Sequence, residues 1–101
     1  GRHNVVSALG SFHGRTLATL AATGQPAKHE PFFPMPDGFR HVAWGDLDAL
    51  RGAVDGSVAA VLIEPIQGEG GVIPARWCGA PRWVSSMSWV ELLLEWMLQR
   101  L

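Results

Sequence analysis

Residues 10–16 carry side chains that suit a ligand with an anionic group and a flat ring. Phe12 offers an aromatic face for stacking, and Arg15 offers a planar guanidinium that can bind a carboxylate or phosphate through paired hydrogen bonds. Gly10 and Gly14 let the backbone approach a ligand closely. A helix that begins after Thr16 would add an N-terminal field favourable to an anion. We therefore predict a binding loop, and the alternative is an ordinary turn with a buried phenylalanine and a surface arginine.

Residues 64–71 form a second candidate loop, which contains two carboxylates. Glu64 follows an apolar run, where a charged side chain needs a partner or a function, and Glu69 lies in a glycine-rich turn. Two carboxylates are too few for a metal cage or an acid–base site, so we assign no metal ligand and no catalytic residue. The alternative is a solvated loop.

Alternating apolar runs and helix signals predict an α/β fold around these loops. Thr16 and Asp46 are candidate N-caps of two helices, and a proline-rich loop is expected after the first. Six consecutive apolar residues, 58–63, are typical of a parallel strand buried on both faces. Ligands bind at the carboxyl ends of such strands, so both loops should converge on one crevice. The predicted strands are residues 5–9, 41–44 and 58–63.

Composition narrows the classes of partner. Eight Lys and Arg against nine Asp and Glu give a net charge of −1, which argues against nucleic acid and anionic membranes as partners. The single cysteine, Cys78, cannot form an internal disulfide, and neither a signal peptide nor an uninterrupted apolar span is evident. We expect a cytoplasmic protein. A strand-like run begins almost at the first residue, which is not Met, so we also expect a piece of a larger protein.

The character of the sequence changes near residue 74. Four of the five tryptophans follow it, whereas eleven of the twelve glycines precede it. We therefore predict one unit at residues 1–74 and a different tail at residues 75–101. A capping box at Ser88 and Glu91 predicts an amphipathic helix in the tail if the tail is native, and a reading-frame shift near Ala75 would also explain the change.

Three ordered segments resemble the class III pyridoxal-phosphate-dependent aminotransferases, and most of all their acetylornithine-type members. The segments are Ser-Phe-His-Gly-Arg-Thr-Leu at 11–17, Thr-Gly-Gln-Pro at 23–26 and Glu-Pro-Ile-Gln-Gly-Glu-Gly-Gly at 64–71. The resemblance implies part of the large domain of a fold-type-I pyridoxal-phosphate transferase, a mostly parallel sheet with flanking helices, here incomplete.

The resemblance also implies roles for single residues. Phe12 matches the aromatic that stacks on the cofactor's pyridine ring, and Glu64 matches a carboxylate in the wall of the cofactor site. Arg15 matches the arginine that binds the substrate's α-carboxylate. Glu69 matches a glutamate that pairs with a distant arginine in related enzymes and controls which substrate is held. For His13 we expect a positional role rather than a catalytic one.

The implied reaction moves an amino group from N-acetylornithine to 2-oxoglutarate in arginine biosynthesis, in a homodimer. The family's phosphate-binding Gly-Thr step, its pyridinium-binding aspartate and its cofactor-binding lysine have no match here, and Lys28 is expected to be a solvated loop residue. We therefore expect no activity from this chain alone. The alternatives are an ornithine, succinylornithine or 4-aminobutyrate aminotransferase, a non-catalytic α/β binding module that presents its tail helix to a partner, and a glycine-loop anion-binding domain.

Overall fold

The computed structural model describes residues 1–64, 66–69 and 73–74. The predicted tail helix lies outside these residues. The elements are β1 (Asn4–Ala8), α1 (Leu17–Ala22), α2 (Pro26–His29), a 3-10 turn (Glu30–Phe32), β2 (Phe39–Val42), α3 (Leu47–Ala53), β3 (Val58–Leu62), β4 (Ile66–Gln67) and β5 (Ile73–Pro74).

A three-stranded parallel sheet organises the described residues. Its strand order is β2-β1-β3, and β1 runs parallel to both neighbours, with Val6 in register with Arg40 and Val61. Parallel neighbours need crossover connections, and α1 to α3 lie in those connections. The predicted α/β class is therefore confirmed. β4, in the second loop, pairs antiparallel with β5, which follows that loop.

Both predicted helix starts are confirmed. Asp46 is the N-cap of α3, and its carboxylate accepts a hydrogen bond from the Ala49 backbone N–H at 2.9 Å. Thr16 is the N-cap of α1, but its hydroxyl bonds to the Thr19 hydroxyl (2.8 Å) rather than to a backbone N–H. Because α1 has only six residues, it aligns few peptide dipoles and gives the first loop little of the expected N-terminal field.

The largest differences from the predicted boundaries lie in the proline-rich segment and the second strand, whereas β1 is shifted by one residue and β3 ends one residue early. The segment expected to be a proline-rich loop begins with helical turns over residues 26–32, because Pro26 and Pro31 lie in the first turn of a helix, where a missing N–H is harmless. The second strand covers Phe39–Val42, two residues earlier than predicted.

The apolar core lies on the side of the sheet that contacts α3. Val6, Leu50 and Val58 are buried together, and seven partly buried apolar residues pack against them: Val42, Trp44, Leu47, Ala53, Val54, Val61 and Ile63. The prediction that residues 58–63 are buried on both faces is wrong for the described structure, because Ala59, Ala60 and Leu62 are exposed. Their strand, β3, is at one end of the strand order, where the described elements cover it incompletely.

The end of α1 and the segment after it are hydrogen-bonded to the carboxyl end of β1. The Ser7 hydroxyl donates to the Ala22 carbonyl at 2.5 Å, and Gly24 forms a parallel bridge with Leu9. A Cβ built on Gly24 would overlap the carbonyl oxygen of Ala8, so only glycine allows this close approach. Residues 23–28 are thereby placed beside the first loop.

Candidate active site

The two candidate loops meet at the carboxyl edge of the sheet, as predicted. The Phe12 backbone N–H donates to Oε1 of Glu64 at 2.7 Å, and the Gln67 side-chain amide donates to the Leu9 carbonyl at 2.9 Å. Gly10 has a positive φ of 78°, and a Cβ built on it would lie 3.0 Å from Oε1 of Gln67. The two loops are therefore in direct contact, and the region between them is called the crevice below.

Glu64 anchors the first loop. Its half-buried carboxylate meets the Phe12 main chain, which provides the partner that a charged group at the end of an apolar strand requires. The hydrogen bond fixes the backbone of Phe12 and leaves its ring half-buried in the crevice. Glu64 thus positions the predicted stacking ring.

Burial favours the neutral form of His13 beside this anchor. Burial lowers the pKa of its imidazole, the nearby Glu64 charge opposes that shift, and His41 adds to it. Its backbone N–H donates to the Thr23 hydroxyl at 3.0 Å. Its Nε2 atom is buried with no hydrogen-bond partner among the described residues. A neutral imidazole fixed by its main chain agrees with a positional role.

Glu69 is bound by two side chains from the segment after α1. Lys28 Nζ pairs with Oε1 of Glu69, and the Gln25 amide donates to Oε2 at 3.0 Å and also to the Ser11 carbonyl at 3.0 Å. Lys28 Nζ lies 5.2 Å from the centre of the Phe12 ring, within the range of a cation–π contact. Lys28 is solvent-exposed, as expected, but it lies in α2 rather than in a loop and is ion-paired with Glu69.

Sequence reasoning missed Gln25 and Lys28 as site residues, although a signal was present. Gln25 belongs to the Thr-Gly-Gln-Pro segment used for the family resemblance, and Lys28 lies three residues later. That spacing places two side chains on the same side of a helical turn. Their partner Glu69 is more than forty residues away in the chain, at a separation of 44 from Gln25, so no local pattern identifies the contact.

The electrostatics of the crevice keep Glu69 ionised. The hydrogen bonds from Lys28 and then Gln25 lower the pKa of Glu69, with smaller contributions from the charges of Lys28 and Arg15. Arg15 is exposed at the rim of the crevice. The structure therefore links Phe12 to Glu64, and Lys28 to both Phe12 and Glu69, and the charge of Arg15 acts on Glu69. The roles assigned to Phe12, Arg15, Glu64 and Glu69 stay predictions.

The described residues show neither a metal centre nor a membrane-spanning helix. They contain no group of three or more His, Cys, Asp or Glu side chains placed to hold a metal ion. None of the described helices is long and apolar enough to cross a lipid bilayer.

Comparison with known proteins identifies the family. The model of the class III aminotransferases matches residues 1–79. The chain belongs to this family. Acetylornithine aminotransferase of Mycolicibacterium smegmatis is 48% identical over 97 residues, covering 94% of this chain and 25% of that protein. The same enzyme of Methanothermobacter thermautotrophicus is 55% identical over 73 residues, covering 72% of this chain and 19% of its own. This class III chain thus spans about a quarter or less of the length of these relatives, and its predicted boundary at residue 74 stays a prediction.

Solved structures agree with the fold and indicate the cofactor. An ornithine aminotransferase structure from Toxoplasma gondii, described with pyridoxal phosphate partly occupying its active site, matches at a TM-score of 0.67. The sequence identity is 33%, and the match covers 74% of this chain and 18% of that one. The cofactor of this family is pyridoxal phosphate, and the fold is part of a pyridoxal-phosphate-dependent aminotransferase.

The described residues of this class III chain fit one part of the cofactor. Phe12 has a half-buried ring whose main chain is fixed by Glu64, as a stacking platform for a pyridine ring requires. The single lysine of the sequence, Lys28, is paired with Glu69. The described residues therefore offer a fixed aromatic ring, and the lysine beside it is ion-paired with Glu69.

Proposed function

We propose that this chain forms one wall of the active site of an aminotransferase that moves an amino group from N-acetylornithine to 2-oxoglutarate. The observation that carries the proposal is the hydrogen bond between Phe12 and Glu64, which joins the ring-stacking loop to the loop that carries Glu69. The relatives reported above, which are named acetylornithine aminotransferases, favour this donor. The structural similarity to an ornithine aminotransferase makes ornithine the second candidate donor. The family resemblance extends the proposal to a cytoplasmic homodimer in arginine biosynthesis.

Each site residue has a distinct task in this proposal. Pyridoxal phosphate, when bound, would supply the electron sink that makes a proton removable from the carbon that carries the transferred amino group. Phe12 stacks on its ring, and Glu64 holds Phe12 in place through the backbone N–H. Arg15 binds the substrate's α-carboxylate through paired hydrogen bonds from a guanidinium that is always charged. Glu69 controls which substrate is held.

The chain on its own is proposed to be inactive. Its single lysine, Lys28, is ion-paired with Glu69 at a half-exposed position. A lysine that acts as a nucleophile must be neutral, which burial or a neighbouring cation favours and a carboxylate partner opposes. Catalysis then requires a lysine from a longer chain.

A graft tests the donor. Residues 1–74 replace the aligned segment of the full-length M. smegmatis relative, and glutamate formation from 2-oxoglutarate is measured with each amino donor in turn. We expect acetylornithine to be the best donor, with kcat/KM within about tenfold of the host's. A graft with Arg15→Ala is the matched control and should lose most of this activity. Better use of ornithine, succinylornithine or 4-aminobutyrate would overturn the donor assignment. A folded graft that stays inactive with every donor would instead favour a non-catalytic module.

A further inference from the structure

Three histidines lie beside the first loop, and the proposed function gives none of them a task. His13 belongs to the loop itself, His29 is the last residue of α2, and His41 lies in β2. The rings of His29 and His41 are in contact, with their centres 5.8 Å apart and their planes at 43°. The charge of His41 also acts on His13, so the three residues form one group, the histidine cluster.

The histidine cluster is bonded to the end of α1. His29 Nε2 bonds to the Thr23 carbonyl at 2.8 Å, and this ring nitrogen carries a proton because a carbonyl oxygen only accepts. The hydroxyl of the fully buried Thr23 accepts from the His13 backbone N–H at 3.0 Å. The His41 ring is hydrogen-bonded to the main chain of Ala22. The three histidines therefore share one support, which also carries the backbone of the first loop.

Two of the three rings are packed in a way that favours the neutral imidazole. The Nε2 atoms of His13 and His41 are buried without a hydrogen-bond partner among the described residues. A neutral imidazole has one nitrogen without a proton, whereas a charged imidazole has a proton on both nitrogens. Charging either ring would therefore bury a donor that has no acceptor, which costs free energy.

The charges that face these two rings strengthen the preference, with one exception. Burial lowers the pKa of His41, hydrogen bonds from its ring to the end of α1 oppose that shift, and the charge of His29 adds to it. Burial also lowers the pKa of His13, where Glu64 at the end of β3 opposes the shift and His41 adds to it. A charge on one member thus disfavours a charge on its neighbour, and repulsion within the cluster grows as the pH falls.

We propose that the histidine cluster is a pH-sensitive switch of the cofactor site, whose neutral rings hold Phe12 in its stacking position and whose charged rings release it. Two contacts connect the cluster with Phe12. A charged His13 attracts the Glu64 carboxylate, which is the acceptor of the Phe12 N–H. Repulsion between charged rings also strains the hydrogen bond between the His13 N–H and Thr23. The inference rests on the proposed function, in which Phe12 stacks on the ring of pyridoxal phosphate.

The direction of the switch follows from the linkage between protonation and conformation. Because the pKa values of His13 and His41 are lowered in the held loop, the released loop binds more protons. The held position therefore keeps its full stability above the ordinary imidazole pKa of 6.5 and loses stability as the pH falls below it. We expect the site to bind its cofactor less tightly in mild acid than at neutral pH.

The link to Phe12 is tested first in the complete 101-residue chain, without cofactor. NMR follows the histidine Cε1–H groups and the Phe12 amide from about pH 8 to 5.5, and backbone amide spectra show that each variant is folded. In wild type, the Phe12 amide signal should move together with the titration of His13. His41→Phe removes the repulsion and should reduce this movement, and His41→Gln gives the same comparison if His41→Phe does not fold. His3→Gln removes an exposed histidine and is the matched control.

A Phe12 amide that does not respond in this pH range, or responds equally in wild type and the His41 variant, would overturn the proposal. Unchanged behaviour in His3→Gln is expected, because His3 lies outside the cluster. A response that is lost in His3→Gln would also overturn it.

The effect on the cofactor is tested in the grafted full-length enzyme described above, in which residues 1–74 supply the whole cluster. The apparent Kd of pyridoxal phosphate is measured over the same pH range. Between pH 8 and 5.5, Kd should rise about threefold or more further in the unaltered graft than in the graft with His41→Phe. The cofactor's own titration is the same in both proteins and cancels in this comparison. An equal rise in both grafts, or no rise, would overturn the switch. An unaltered graft that binds no cofactor at pH 8 contradicts the proposed function instead, and the NMR titration still decides whether the cluster acts on Phe12.

Discussion

Replacing Gly24 by alanine should damage the fold and the site together. Gly24 lies where the segment that carries Gln25 and Lys28 crosses the carboxyl end of β1. Its backbone N–H donates to the Ser11 hydroxyl at 3.0 Å, and its carbonyl accepts from the Gly10 N–H at 2.7 Å. A side chain at this position has no space to enter.

The magnitude follows from the geometry. A Cβ on Gly24 would lie 2.8 Å from both the Ala8 carbonyl carbon and Leu9 Cα, and closer still to the Ala8 oxygen. Ordinary carbon contacts are about 3.5–4.0 Å, so the backbones must separate by about 1 Å. Overpacking of this kind costs about 1–3 kcal/mol, and each of the two hydrogen bonds weakened by the shift contributes about 0.5–1.5 kcal/mol. We expect Gly24→Ala to reduce the free energy of unfolding by about 2–6 kcal/mol.

Thermal unfolding of the chain, followed by circular dichroism, measures this loss. A change of 1 kcal/mol shifts Tm by roughly 4–8 °C in a domain of this size, so Gly24→Ala should lower Tm by about 10 °C or more. Gly52→Ala is the matched control, because Gly52 lies in α3 with nothing within 4 Å of an added Cβ. Alanine should stabilise that helix by up to about 1 kcal/mol. If Gly24→Ala unfolds within about 2 °C of wild type, the argument from close approach is refuted.

Four further outcomes are expected. In the grafted enzyme, Arg15→Lys should lower kcat/KM for acetylornithine by about tenfold or more, because a point charge replaces a paired contact worth about 1.5–3 kcal/mol. A change in kcat/KM below about twofold would refute the role of Arg15 in binding the carboxylate. Hydrogen bonds from Ser57 and Arg40 lower the pKa of Asp55 to about 2. The stabilisation that the ionised Asp55 carboxylate provides should therefore be complete above its unfolded pKa of about 3.9 and be lost as the pH falls towards about 2. In acid unfolding, the free energy of unfolding of Asp55→Asn should depend less steeply on pH than that of wild type, and equal slopes would contradict this prediction. The chain alone with pyridoxal phosphate should form no more glutamate from acetylornithine and 2-oxoglutarate than the free cofactor does, so clear turnover would contradict the incomplete site. Size-exclusion chromatography with light scattering should show that the chain associates, because β3 is an edge strand among the described residues. If the chain is instead a monomer with a sharp melting transition, and this behaviour is lost when residues 75–101 are removed, the tail is native.

Local signals predicted the elements, and long-range contacts decided where the prediction failed. Asp46 caps α3 through a backbone N–H three residues away, so the sequence pattern contains the whole interaction. The exposure of Ala59 and Ala60 depends on which strand lies at the sheet edge, and an apolar run carries no information about strand order. The contact of Lys28 with Glu69 joins residues 41 apart in the chain, so it emerges only when the fold is known.

One short segment links the stability of the sheet to the chemistry of the crevice. Thr23 is fully buried and its hydroxyl accepts from the His13 N–H, Gly24 meets β1, and Gln25 reaches both Ser11 and Glu69. The place of Glu69 therefore depends on how closely this segment approaches the strand. A substitution that moves residues 23–28 about 1 Å away from β1 also moves both hydrogen-bond donors of the Glu69 carboxylate, because Gln25 and Lys28 both belong to this segment. The close approach at Gly24 thus fixes the contacts of the Glu69 carboxylate as well as the packing of the segment on β1.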